Sequence, residues 1–206
     1  MTILLSDPRV SAVPVEECGE PLVGLPPALG DRVWVRRGLV DRLVAADAAL
    51  PPGMRLQVVE GHRSIADQAR ILAAYTDQLR CRHPRADAVE LATLASRFVA
   101  PLAVAPHVAG AAVDLTLVDP AGTPYDLGTA IDATPEDSDG GCYFAARNIA
   151  PMARYLRHLL GEALAGAGLV NYPTEWWHWS FGDRYWALAT GATHALYGPV
   201  SSEAAA

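Results

Sequence analysis

The sequence predicts an α+β fold in a single domain, with a small, mainly antiparallel sheet flanked by helices. Three observations carry this. Stretches with helical spacing of apolar residues are interleaved with short β-branched runs in no repeating order. A pair of aromatic segments near the C-terminus is separated by Gly182-Asp183, a turn signal that suits a hairpin. With 206 residues, 51% of them hydrophobic, the chain is long enough to bury one full core, and nothing in it demands a second domain.

Taken in order, GLVDRLVAADAAL sets Leu39, Leu43, Ala46 and Leu50 on one helical face, and Pro51-Pro52-Gly53 stops the helix. MRLQVVE, from Met54 to Glu60, reads as a strand with Arg63 just past its end. Ser64 caps a second helix that runs toward Cys81, and His83-Pro84 breaks it. A shorter helix is expected between Ala86 and Phe98, followed by a proline-punctuated approach from Pro101 to Pro106. VDLTLV, starting at Val113, is a second strand, and Asp119 to Gly122 a turn. Gly128 to Gly141 reads as a long polar loop, Phe144 to Ala167 as a long helix ended by Gly166 and Gly168, and WHWSF with RYWALAT as the hairpin. The tail SSEAAA is expected to fray.

Two segments carry chemistry. APHVAGAAVD supplies His107 and Asp114; TEWWHWS supplies Glu175 and His178. A catalytic zinc site typically keeps three protein ligands and an open position for water, whose pKa falls to about 7. His107, Asp114 and His178 are the candidate ligands. Glu175 is the candidate for taking the proton of the attacking water and returning it to the departing amine. Its three-residue spacing from His178 puts both on one side only if the backbone turns there, so irregular structure is expected at Glu175, leading into a strand near Trp177. Gly110 and its neighbouring alanines permit a tight turn after His107. Asp114, set between Val113 and Leu115, is costly to bury without a partner or a metal. Taken singly, either segment is also a common chance spacing; the joint set is what makes the reading specific.

The pattern His107-x-x-Gly110-x-Ala112-x-Asp114, followed by Glu175-Trp-Trp-His178, resembles the zinc D-alanyl-D-alanine dipeptidase family, which includes the vancomycin-resistance dipeptidases. VVEGHRS, DLGTAID and GDRYWA resemble further family segments, so the likeness covers about Val35 to Tyr197 in the family's order. The resemblance implies one Zn2+ per chain on His107, Asp114 and His178, with Glu175 as general acid/base. It also implies that Arg63 polarises the scissile carbonyl, and that Asp132 contacts the free amino group of a small dipeptide. Read alone, Arg63 is more simply a salt-bridge partner for Glu60, and Asp132 is equally a turn-stabilising aspartate. His62 and Trp177 are further candidate substrate contacts, and the tryptophans from Trp176 to Trp186 candidate core and pocket wall. Ala105, Val108 and Ala109 stand where family members commonly carry hydroxyls, which leads us to expect an altered grip on the substrate.

Composition narrows the remaining classes. No segment has the eighteen or so consecutive apolar residues of a membrane span, and MTILLSDPRV lacks a secretory pattern, so cytoplasmic residence is the default expectation. A formal charge of −7 argues against nucleic acid as a partner. Cys18, Cys81 and Cys142 are odd in number and form no CxxC pair, excluding a disulfide framework or thiolate cage. A Cys142 nucleophile at a helix start is the alternative chemistry, and free cysteine is more often a small buried hydrophobe. Two other functions stay open: the same metal site acting on a different dipeptide or amide, and a metal-stabilised binding module without catalysis.

Overall fold

The computed structural model describes residues 2–200; the expected fraying of 201–206 lies outside them. A short helix α1 (Pro8–Ala12) is capped by Asp7 and leads to a two-stranded antiparallel ribbon, β1 (Leu22–Gly24) with β2 (Trp34–Arg36). Helix α2 (Arg37–Ala49) follows and buries Leu39, Leu43 and Ala46, the face its spacing predicts. Strand β3 (Arg55–Glu60) then enters the main sheet. Helix α3 (Ile65–Arg82) starts at Ser64, whose hydroxyl accepts the Asp67 amide, and α4 (Ala88–Ala95) packs beside it around Tyr75, Leu79, Leu91 and Val99.

The main sheet is completed by β4 (Ala112–Val118), β5 (Val170–Asn171) and β6 (His178–Ser180), with α5 (Pro151–Gly166) between β4 and β5 and α6 (Arg184–Thr190) last. Its order is β3-β4-β6-β5 and every neighbouring pair is antiparallel, as expected. All seven residues of β4 are buried. Such a strand reads as a near-continuous apolar run because both of its faces are covered. The largest core cluster joins α2, the sheet and Leu156, Leu160 and Leu164 of α5. A second one docks Leu5 and Val10 on Val104, Tyr172 and Tyr185, tying the N-terminal segment to the body of this single α+β domain.

Two expectations fail locally. RYWALAT forms α6 rather than the second half of a hairpin. The Asp183 carboxylate accepts the amides of Tyr185 and Trp186 and so supplies the cap of a helix where a turn was read. The long helix begins at Pro151, not Phe144: proline holds Ala150 in extended backbone (ψ 144°), and residues before it form turns. Cys142 therefore sits in a turn, fully buried, and burial pushes its thiol pKa up, the reverse of an activated nucleophile.

The loop between β4 and α5 is strongly anchored. Arg157 of α5 is fully buried and donates to the carbonyls of Leu127 (2.7 Å), Gly141 (2.9 Å) and Tyr143 (2.6 Å), clamping the loop's two ends together. At the loop's far side, Glu136 accepts from the Tyr75 hydroxyl (2.6 Å) and pairs with Arg97.

Candidate metal centre and active-site cavity

Strand register assembles the site. Asp114 lies directly opposite His178 of β6 on one side and Glu60 of β3 on the other, giving one row across three strands. The row depends on an irregularity in β3: Val58 pairs with Leu115, Val59 is passed over, and Glu60 pairs with Asp114. One extra residue of this kind re-aims the side chains beyond it, here bringing Glu60 level with the metal-ligand candidates.

His107 reaches the row from the turn before β4. Gly110 holds a left-handed φ of +65°, and a Cβ there would press on the Leu22 side chain, so the turn favours glycine. The His107 Nδ1 proton is donated to the Gly61 carbonyl at 2.7 Å, leaving the Nε2 lone pair facing the row. Glu175 sits on the turn expected of it: its carbonyl accepts the His178 amide, and Asn171 Nδ2 donates to the carbonyls of both residues. This three-residue return puts the carboxylate and the imidazole on one side, with Glu175 Oε2 3.7 Å from His178 Nδ1.

The donor set fits a divalent metal. His107 Nε2, His178 Nδ1 and Asp114 Oδ1 are separated by 3.1, 3.1 and 3.4 Å. Zinc–ligand bonds near 2.0–2.2 Å in a tetrahedron place ligand atoms about 3.3 Å apart, close to these separations. All three residues and Glu175 are buried, and among the described residues theirs is the group that gathers as metal donors.

The electrostatics of the four groups differ. Burial alone raises a carboxylate's pKa, but the two imidazoles outweigh it at Asp114 and hold that group far below the usual range. Glu175 moves the other way: burial raises it well above a normal glutamate, and the charges of Asp114 and Asp132 add to the effect. Burial lowers both imidazoles; at His107 the facing Asp114 wins and the pKa rises, whereas at His178 burial wins and it falls. Paired carboxylates with opposed shifts are what an ionised ligand beside a proton-carrying acid/base requires.

These groups form the floor of a cavity of about 470 Å³. Arg63 lines it. Its guanidinium grips Glu60 through Nε (2.7 Å) and Nη2, and donates to Gln68 Oε1 through Nη1 (2.9 Å). That uses three of the five N–H groups of an arginine and leaves two for a ligand. The salt-bridge and cavity readings of Arg63 are therefore both realised. Trp177 and Asp132 line it as well, Asp132 with left-handed backbone (φ +64°). Partial burial, Asp114 and Glu60 raise the Asp132 pKa.

His62 does not line the cavity. The strand ends at Glu60, and the irregular backbone after it brings Arg63 rather than His62 to the cavity beside Glu60; His62 keeps its amide on the Trp34 carbonyl and its ring half-buried near Arg36. Ala105, Val108 and Ala109 are buried away from the cavity too, so the absence of hydroxyls there removes no lining group. Sequence reasoning missed Gln68, Thr134 and the α3 wall; a buried glutamine one turn into a helix, four residues after Ser64, was the available signal.

A buried two-histidine, one-aspartate donor set with an adjacent high-pKa glutamate, lining a pocket, fits the class of metal-dependent hydrolases. The chain matches the family model described as D-ala-D-ala dipeptidase over residues 30–194, and it belongs to that family of metallopeptidases. It is similar to the D-alanyl-D-alanine dipeptidase of a Synechocystis species, 28% identical in an alignment 244 positions long, gaps included, that covers 92% of this chain and 95% of that protein. A shorter stretch of 72 residues, 35% of each chain, is 36% identical to the D-alanyl-D-alanine dipeptidase of Escherichia coli. Among the described residues no helix is long and apolar enough to cross a membrane.

Proposed function

We propose that the chain is a zinc-dependent dipeptidase that hydrolyses a small D,D-dipeptide, D-Ala-D-Ala above all, with one zinc ion per chain on His107, Asp114 and His178. The observation that carries this is the convergence of three donor atoms beside Glu175 in a cavity that also holds two spare N–H groups of Arg63. Bound there, zinc supplies Lewis acidity and makes water nucleophilic near neutral pH. Glu175 accepts a proton from the attacking water and delivers it to the departing amine nitrogen; its raised pKa suits the second half of that task. Arg63 donates to the carbonyl oxygen as negative charge builds on it. Asp132 meets the substrate ammonium, and Trp177 closes the wall.

The cytoplasm is the proposed compartment, with the free dipeptide rather than a wall-linked peptide as substrate. Three unpaired cysteines, two of them exposed, fit a reducing environment.

The test is metal content of the purified protein together with release of D-alanine from D-Ala-D-Ala, with and without a chelator. One zinc per chain and chelator-sensitive release support the reading. A Glu175→Ala enzyme that keeps its metal and its full rate would overturn the role given to Glu175.

A further inference from the structure

The cavity that holds the catalytic candidates is also lined by one face of α3. Gln68, Ile71, Ala74, Tyr75 and Gln78 all line it, three and four residues apart on one helical face. At 1.5 Å per residue, this stripe extends about 15 Å from Gln68 to Gln78. An extended dipeptide backbone covers only about 7 Å. The stripe is longer than such a backbone, and beside the polar Arg70 and Gln78 it presents apolar groups: Ile71, Ala74 and the Tyr75 ring on α3, with Phe98 and Val99 beyond α4.

This wall is built rather than loose. Phe98 meets Tyr75 edge to face with ring centroids 5.0 Å apart, and the Tyr75 hydroxyl is held by Glu136. Val99 is 3% exposed and belongs to the α3–α4 core cluster. A volume of about 470 Å³ falls in the range of pockets that enclose ligands much larger than two alanines.

We propose that Ile71, Ala74, Tyr75, Phe98 and Val99 form an apolar specificity subsite, and that the preferred substrate is a D,D-dipeptide carrying one large apolar side chain of leucine or phenylalanine size. A dipeptide backbone plus such a side chain matches the length of the α3 wall, and the side chain leaves water for apolar surface. The inference rests on the dipeptidase reading and names the substrate class within it.

The experiment compares kcat/KM for D-Ala-D-Ala, D-Ala-D-Leu, D-Ala-D-Phe, D-Leu-D-Ala and D-Phe-D-Ala, using the zinc-loaded full chain and its Ala74→Trp variant. At least one bulky dipeptide is expected to exceed D-Ala-D-Ala, by about tenfold, since a single methylene in an apolar pocket already shifts discrimination by that order. Ala74→Trp fills the subsite and lowers the bulky-to-small ratio by about tenfold or more. Ile71→Ala, which removes contact instead of filling space, lowers the same ratio and serves if the tryptophan variant does not fold. The subsite is overturned if D-Ala-D-Ala is cleaved faster than all four bulky dipeptides, or if neither variant moves the ratio. If no dipeptide is cleaved, the hydrolytic reading itself falls. Calorimetric binding of the same five dipeptides to the zinc-loaded protein then decides the subsite: tighter binding of a bulky one upholds it, and equal or weaker binding overturns it.

Discussion

Replacing Arg63 by lysine separates the catalytic role proposed for it from its structural one. The guanidinium spends three N–H groups on Glu60 and Gln68 and has two left for the substrate oxygen. A lysine ammonium is a point charge on a flexible stem; it can stay beside Glu60, but it cannot hold Glu60, Gln68 and an oxyanion in one fixed fork. Losing one preorganised donor to a developing oxyanion costs about 3 to 4 kcal/mol, which corresponds to a fall of about 10² to 10³ in kcat. The stability cost is smaller. The pair keeps opposite charges, and with the Arg63 and Glu60 side chains 16% and 34% exposed it is partly screened by water. We expect less than about 1 kcal/mol, or under about 4 °C in melting temperature for a chain of this size. The assay is D-alanine release at saturating dipeptide, run beside metal analysis and thermal unfolding on the same preparation. An Arg63→Lys enzyme with one metal per chain and a kcat within threefold of the parent would refute the oxyanion role. A loss of activity that tracked a large drop in melting temperature would show that Arg63 acts by holding the fold.

Other perturbations follow from the same geometry. Metal affinity should weaken tenfold per unit as pH falls below the raised pKa of His107, with a slope of one, because His178 with its lowered pKa stays neutral and Asp114 stays ionised; competition against a chelator across pH checks this, and a slope of two would contradict it. Arg157→Met strands the carbonyls of Leu127, Gly141 and Tyr143 and should cost about 3 kcal/mol or more, a fall of roughly 6 to 12 °C by calorimetry. Glu136→Ala removes the acceptor shared by Tyr75 and Arg97 and should cost about 2 kcal/mol locally, seen as roughly thirtyfold faster amide exchange over residues 129–141 with the sheet unchanged.

The parts of the site that were legible in the sequence are those where a residue violates its surroundings. Asp114 stands inside an apolar strand, and the structure buries it there between two imidazoles. Glu175 and His178 are spaced for a turn, and a turn brings them together. Helix α2 showed its buried face, and α3 its capping serine, because both signals are local. What was hidden depends on partners far along the chain. Glu60 joins the site through the irregularity at Val59, for which RLQVVE gives no local sign. Strands of two or three residues, such as β1, β2 and β5, are too short to show a period. The Gly182-Asp183 pair read as a hairpin turn because the same residue types also cap helices, and only the two amides that Asp183 accepts distinguish the cases. The hydroxyl positions near His107 misled for a related reason: proximity in sequence to a ligand does not determine which way a side chain faces.

The pairing of Asp114 with His178 would make loading of the proposed metal a check on strand alignment. These two donors come from strands that the chain brings together across a long interval, and a slip of one residue between β4 and β6 would turn Asp114 to the opposite face of the sheet. Misregistered sheets of that kind present no complete donor set, so the free energy of ion capture goes to the correctly paired sheet alone. The ion that equips this protein for chemistry would then also proofread its folding, and metal starvation would deplete the properly assembled molecule as well as its activity.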